Sequence, residues 1–150
     1  MIGIVVAAHG KMSKGIIDAA ELIIGGTDDI VPISLEQQDD VSILQEKITK
    51  GINKVNKNEG VIIFTDLFGA SPYNQSTLAI RSLPIEIQNK TTIITGVNLP
   101  MLLEAINQKM IDSSIESAIT AILDTSKQST IEWSLKDEED DLEIDEEDEF

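Results

Sequence analysis

The sequence predicts an α/β fold: a doubly wound, mostly parallel sheet of four strands flanked by helices. Three observations carry this expectation. Four short apolar runs alternate with stretches of helical periodicity, as stacked βαβ units require. The first run, residues 2–8 (Ile2-Gly3-Ile4-Val5-Val6-Ala7-Ala8), is continuous and rich in β-branched side chains, the mark of a strand buried on both faces. Two of the runs end on residues with chemistry, His9 and Asp66, at the strand ends where open α/β sheets collect ligands.

Each element has its own signal. After the first strand, a helix starts near Ser13, an N-cap type. It runs through Ile16, Ile17, Ala20, Ile23 and Ile24 and stops at Gly25-Gly26. The second strand, Ile30 to Leu35, contains Pro32 and therefore belongs at a sheet edge. Asp39 or Asp40 caps the next helix, whose apolar face is Val41, Leu44, Ile48, Ile52 and Val55, with Gly51 weakening it slightly. Val61 to Thr65 form the third strand and Thr91 to Thr95 the fourth, ending at Asp66 and Gly96. Two further helices open near Pro100 and Asp112. Ile131-Glu132-Trp133-Ser134-Leu135 alternates with period two, as a half-buried antiparallel strand does.

The chain has 150 residues, 41% of them hydrophobic, enough for one core. One domain over residues 1–135 is expected, followed by an acidic tail, 136–150, with too few apolar residues to bury and therefore read as disordered. The formal net charge is -16, of which the tail carries 11 of the 27 acids and one of the 11 bases. Such a balance argues against nucleic-acid binding, which needs clustered Lys and Arg. With no cysteine and one histidine, neither a thiolate site nor an imidazole cluster for zinc or copper can be assembled, a carboxylate site for a hard cation stays open, and no cofactor is called for. The opening lacks a basic n-region and its apolar run is far shorter than the roughly 20 residues of a membrane helix, so the reading is a soluble, cytoplasmic, unexported chain.

His9 is the centre of the expected chemistry. Imidazole, with an ordinary pKa of about 6.5, is the side chain that serves as a neutral nucleophile near neutral pH. Strands one and three are commonly neighbours in a doubly wound sheet, which brings Asp66 to the same crevice. A carboxylate taking the Nδ1 proton fixes the tautomer and leaves Nε2 free to attack. Ser71-Pro72 reads as N-cap and N1 of a helix beginning beside the site. Gly69 and Ala70 let backbone approach an anion at that helix end, and Ser71 either caps the helix or contacts the anion. Asn98, in the loop after strand four, bonds a turn or a ligand. Met12 and Phe68 flank the crevice, as partner contacts or as core.

Three segments in register, AAHG at 7–10, TDLFGASPYN at 65–74 and TGVNLPMLLEA at 95–105, give the chain a strong resemblance to the IIA component of the mannose-type family of the bacterial sugar phosphotransferase system. The resemblance covers nearly the whole folded part. It implies a phosphotransferase with a phosphohistidine intermediate. Phospho-HPr, charged by enzyme I from phosphoenolpyruvate, gives its phosphoryl group to Nε2 of His9, which passes it to a IIB partner for sugar uptake. Asp66 would hold the other ring nitrogen and Ser71 would lie near the phosphoryl group. The family fold is a homodimer with an exchanged C-terminal strand, matched in position by residues 131–135. With no second domain after the tail, the chain reads as a free-standing IIA component.

Other readings fare worse. A receiver domain would need acidic residues after strand one to hold magnesium, where this chain has Ala7-Ala8-His9. A serine hydrolase would need the G-x-S-x-G elbow, which is missing. A non-catalytic regulatory module, controlled by phosphorylation of His9, shares the same site residues and stays open as the alternative.

Overall fold

The computed structural model describes residues 1–148. Four strands, β1 (Gly3–His9), β2 (Val31–Leu35), β3 (Val61–Thr65) and β4 (Thr91–Ile94), form one parallel sheet in the order β2-β1-β3-β4. Pro32 lies on the outer strand β2, where its missing N–H costs no ladder bond. Helices α1 (Met12–Ile23), α2 (Val41–Val55), α3 (Ser71–Arg81), α4 (Ile85–Gln88), α5 (Leu99–Met110) and α6 (Ile115–Gln128) follow in chain order, and α7 (Leu135–Asp148) comes last.

The continuous apolar run of β1 is explained by two cores. Ile4 and Val6 point to one face, into a cluster with Ile62 and Phe64 of β3, Ala20 of α1, Leu102 and Ile106 of α5 and Ile122 of α6. Val5 and Ala7 point to the other, with Ile63 of β3, Leu44, Ile48 and Ile52 of α2 and Ala79 of α3. All of these are essentially buried, at about 25 cal/mol per Å² of apolar surface removed from water. The sheet is therefore doubly wound, as expected.

Close approach of α2 to the sheet accounts for Gly51. A Cβ there would stand 3.1 Å from Ile33 Cδ1 and 3.3 Å from Val31 Cγ1, so the loss of helix propensity is exchanged for contact. Gly3 is tighter still, since its Cβ would meet the carbonyl oxygen of Val55 at 2.5 Å and Val55 Cγ2 at 2.7 Å. Backbone cannot yield as a flexible side chain does. Gly3→Ala is expected to lower stability by about 1–3 kcal/mol, read as a drop in the denaturant midpoint at unchanged slope. An unchanged midpoint would refute this packing.

Several boundaries differ from expectation. Ser13 is not a cap: it lies inside α1, fully buried, and its hydroxyl shares a 3.0 Å hydrogen bond with that of Ser34, tying α1 to β2. Asp40 is the cap of α2, accepting from the N–H of Ser42, while Asp39 accepts from the N–H of Glu36. The cap of α6 is Ser114, because Asp112 occupies a left-handed turn at φ 55°. The short helix α4, just after Pro84, has no counterpart in the expected elements.

The C-terminal strand does not form in the single chain. Residues 130–134 have no regular structure, and Ile131, Trp133 and Leu135 stand 81%, 68% and 63% exposed, because no edge of this chain's own sheet pairs with them. Leu135 instead opens α7, a helix where a disordered tail was expected. Ser134 accepts from the N–H of Asp137, and Asp137 and Glu138 occupy the first turn, where the helix dipole favours acids. Residues 149 and 150 of the expected tail lie outside the described residues.

Candidate functional site

Pairing of β1 with β3 places the site. Ala7 lies opposite Thr65, so the chain leaves β1 at His9 and β3 at Asp66 on the same edge of the sheet. The imidazole Nδ1 and Asp66 Oδ2 are 2.7 Å apart, and the same oxygen accepts the backbone N–H of His9 at 3.0 Å. One carboxylate oxygen thus fixes both the ring and the backbone that bears it. A ring nitrogen facing a carboxylate acceptor carries the proton, leaving the Nε2 lone pair available. The His9 side chain is 46% exposed while that of Asp66 is 13% exposed, so the ring faces outward and its partner faces in.

Burial by itself would raise the Asp66 carboxyl. The backbone N–H of His9, its ring N–H and charge, and the backbone N–H of Asp66 together outweigh that and hold it below the usual carboxylate range. Asp66 is therefore ionised at neutral pH and stabilises positive charge on the ring. Its second oxygen, Oδ1, and the Thr65 hydroxyl are both buried without hydrogen-bond partners among the described residues.

Tight turns carry the chain away from both residues. Gly10, at φ +57°, donates its N–H to the Leu35 carbonyl at 2.8 Å, and a side chain in that left-handed conformation would be strained. Gly69, at φ +78°, turns the loop between β3 and α3, and Asn74 Nδ2 donates to its carbonyl at 2.9 Å. The cap of α3 is Ala70, not Ser71, so Ser71 is N1 and Pro72 N2. No side chain caps this helix, which leaves the Ser71 hydroxyl unspent and the Ser71 and Tyr73 N–H groups without intrahelical acceptors. That end of α3 has the donors and the dipole to receive an anion.

The flanking residues separate into two kinds. Phe68 and Met12 are 72% and 40% exposed, hence not core, and Phe68 leans on Tyr73 with ring centroids 4.9 Å apart. Asn98 is the cap of α5: its side-chain oxygen accepts the Met101 N–H at 2.9 Å, which is the turn-forming role. Leu67, 60% exposed beside Phe68, was missed in the sequence, as were Tyr73 and Asn74, which brace the loop. Their signal was adjacency to Asp66 and an α3 start whose early positions face the loop. Among the described residues, no group of three or more His, Asp or Glu could hold a metal ion, and no helix is long and apolar enough to cross a membrane.

Comparison with known proteins gives this geometry a context. Residues 3–123 match the family model described as "PTS system fructose IIA component". The chain is 24% identical over 127 residues to the PTS system mannose-specific EIIAB component of Escherichia coli K12, covering 85% of this chain and 38% of that protein. It is 30% identical over 101 residues to the PTS system sorbose-specific EIIA component of Lacticaseibacillus casei, covering 67% of this chain and 69% of the relative. The chain thus spans about two fifths of the mannose-specific relative. In three dimensions it superposes on phosphotransferase system component EIIA from Streptococcus agalactiae with a TM-score of 0.77 at 23% identity, over 88% of this chain and 97% of the other, which shows a shared fold. The family match spans most of the chain and includes both strand ends that bear His9 and Asp66, so the chain belongs to the mannose-type IIA component family of the phosphotransferase system.

Proposed function

We propose that this chain is a phosphoryl carrier of a sugar phosphotransferase system, accepting a phosphoryl group from phospho-HPr on Nε2 of His9 and passing it to a IIB component. The observation that carries the reading is the 2.7 Å contact of Nδ1 with Asp66, which leaves Nε2 as the outward nucleophile. In the transfer, the Nε2 lone pair forms a bond to phosphorus as the N–P bond of the donor histidine breaks. The Nδ1 proton stays against Asp66 and the ring takes up positive charge. Exchange between two imidazoles is nearly balanced in energy, so positioning and oriented dipoles do most of the catalysis. Those dipoles are the unspent donors at the start of α3: the Ser71 hydroxyl and backbone N–H groups beside Gly69 and Ala70. Met12, Phe68 and the free amide of Asn98 are assigned to the surface that meets HPr and IIB, with no metal or cofactor taking part.

Incubation of the purified chain with phosphoenolpyruvate, enzyme I and HPr tests this by intact mass. The expected product carries one acid-labile phosphoryl group. No labelling, with HPr demonstrably phosphorylated, would overturn the carrier reading and favour a partner-binding module on the same fold.

The protein is further proposed to work as a homodimer. Ile131, Trp133 and Leu135 alternate along one exposed segment, a pattern that gains its burial by pairing with a second copy. Trp133→Asp is expected to shift the sedimentation coefficient from dimer to monomer. A wild-type chain that sediments as a monomer at high micromolar concentration would exclude the dimer.

A further inference from the structure

This acidic chain concentrates bases beside the open edge of its sheet. Along the outer strand β2 lies a groove of about 550 Å³ whose walls include Pro32 and Ser34 of β2, Lys14 of α1 and Lys47, Lys50 and Lys54 of α2. Four of the 11 bases of the chain line this one groove. Lys47, Lys50 and Lys54 recur at three and four residues, which aligns them on a single face of α2. Among the described residues, their one ion pair joins Lys50 to Glu46 at 3.0 Å, with both side chains mostly in solvent. Glu36 and Asp39 also line the groove, and Asp39 is occupied by the N–H of Glu36. The four lysines leave an excess of positive charge in a molecule whose net charge is -16.

The complementary element is on the same chain. Residues 136–150 hold 11 acids and one base. Lys136 to Leu142 of α7 are exposed. We propose that this acidic C-terminal segment docks into the lysine groove of its own chain, its carboxylates facing Lys14, Lys47, Lys50 and Lys54. Reach is sufficient: residues 130–134, which have no regular structure, extend about 17 Å and the 14-residue α7 adds about 21 Å, together close to the roughly 40 Å diameter of a domain of this size. Recognition runs through charge and needs no strand register, since Pro32 offers no N–H for strand addition. Opposed charges brought together also relieve the self-repulsion that a net charge this far from zero imposes. The groove runs along β2 and past its end to Glu36 and Asp39, next to Leu35, which lies in register with His9, so a docked segment brings negative charge toward the phosphoryl site.

The absence of cysteine makes the test direct, because Leu142→Cys gives one attachment point on the full-length chain without altering its charge. A nitroxide placed there is expected to broaden the amide signals of Ile33, Lys47, Lys50, Gly51 and Lys54 by more than half, relative to the reduced label. The broadening should vanish in 1 M NaCl, where the screening length is about 3 Å. It should also vanish in a K47Q/K50Q/K54Q variant whose amide dispersion shows an intact fold. Broadening that avoids the groove, or that persists through both salt and the triple variant, overturns the proposal. A mixture of spin-labelled unenriched protein with unlabelled ¹⁵N protein should show no transfer. Transfer would assign the groove to the segment of a second copy and overturn docking within one chain.

Discussion

His9→Ala is expected to abolish phosphoryl acceptance completely, with no residual labelling, while the chain remains folded. The loss is total because His9 is the only histidine, so no second imidazole can accept the group. The fold survives because the ring is 46% exposed and contributes no core packing. What disappears is one hydrogen bond to Asp66, worth about 1 kcal/mol, and Asp66 Oδ2 keeps the backbone N–H of residue 9 as a partner. Intact-mass labelling and a denaturant midpoint measured on the same sample separate the two effects. Full labelling of the variant would move the acceptor to another residue.

Asp66→Asn has the second largest expected effect, a fall in transfer rate of about 10²- to 10⁴-fold with the acceptor still present. Oδ2 accepts both the backbone and the ring N–H of His9, while Oδ1 is buried with no partner. An asparagine oxygen placed at Oδ2 strands its NH₂ in that buried position, at about 1–3 kcal/mol. The flipped amide points NH₂ at Nδ1 and selects the tautomer that protonates Nε2, which removes the nucleophile. Either outcome is costly. Stopped transfer from phospho-HPr, quenched at short times, reads the rate, and a variant as fast as wild type would remove Asp66 from the mechanism.

The same pair predicts an acid limb in stability. The folded carboxyl of Asp66 lies below its unfolded value of about 3.9, so its contribution is complete above that pH and is lost as pH falls through the folded value. Asp66→Asn should flatten this limb, with its stability loss greatest in the neutral region and the variant converging on wild type at acid pH.

Much of this arrangement is written locally. The β1 run, the edge proline of β2 and the apolar face of α2 each encode one element and its burial, so the edge place of β2 and the pairing of β1 with β3 were readable, while the full strand order was not. The His9 and Asp66 juxtaposition was legible because both residues terminate strands that pair as neighbours. Cap positions were less so. Ser13 carries a cap-forming side chain, yet burial against Ser34 uses its hydroxyl between elements, a tertiary demand that local propensity does not contain. Ser71 shifted by one position because Ala70 adopted the extended cap conformation at φ -85°, ψ 176°. The segment around Trp133 shows the limit most clearly: period two states a strand, but pairing depends on an edge the single chain does not offer it. Ser134 followed by Asp137 was a readable capping signal for α7, obscured by the acidic composition around it.

The most direct test of the central claim is a long-range ¹H–¹⁵N correlation spectrum of the imidazole, before and after phosphorylation by phospho-HPr. One histidine gives one set of ring signals, so no assignment is needed. A protonated Nδ1 is expected in the free protein and a phosphorus coupling on Nε2 in the product. A phosphoryl group on Nδ1, or a free protein whose proton sits on Nε2, would contradict this assignment.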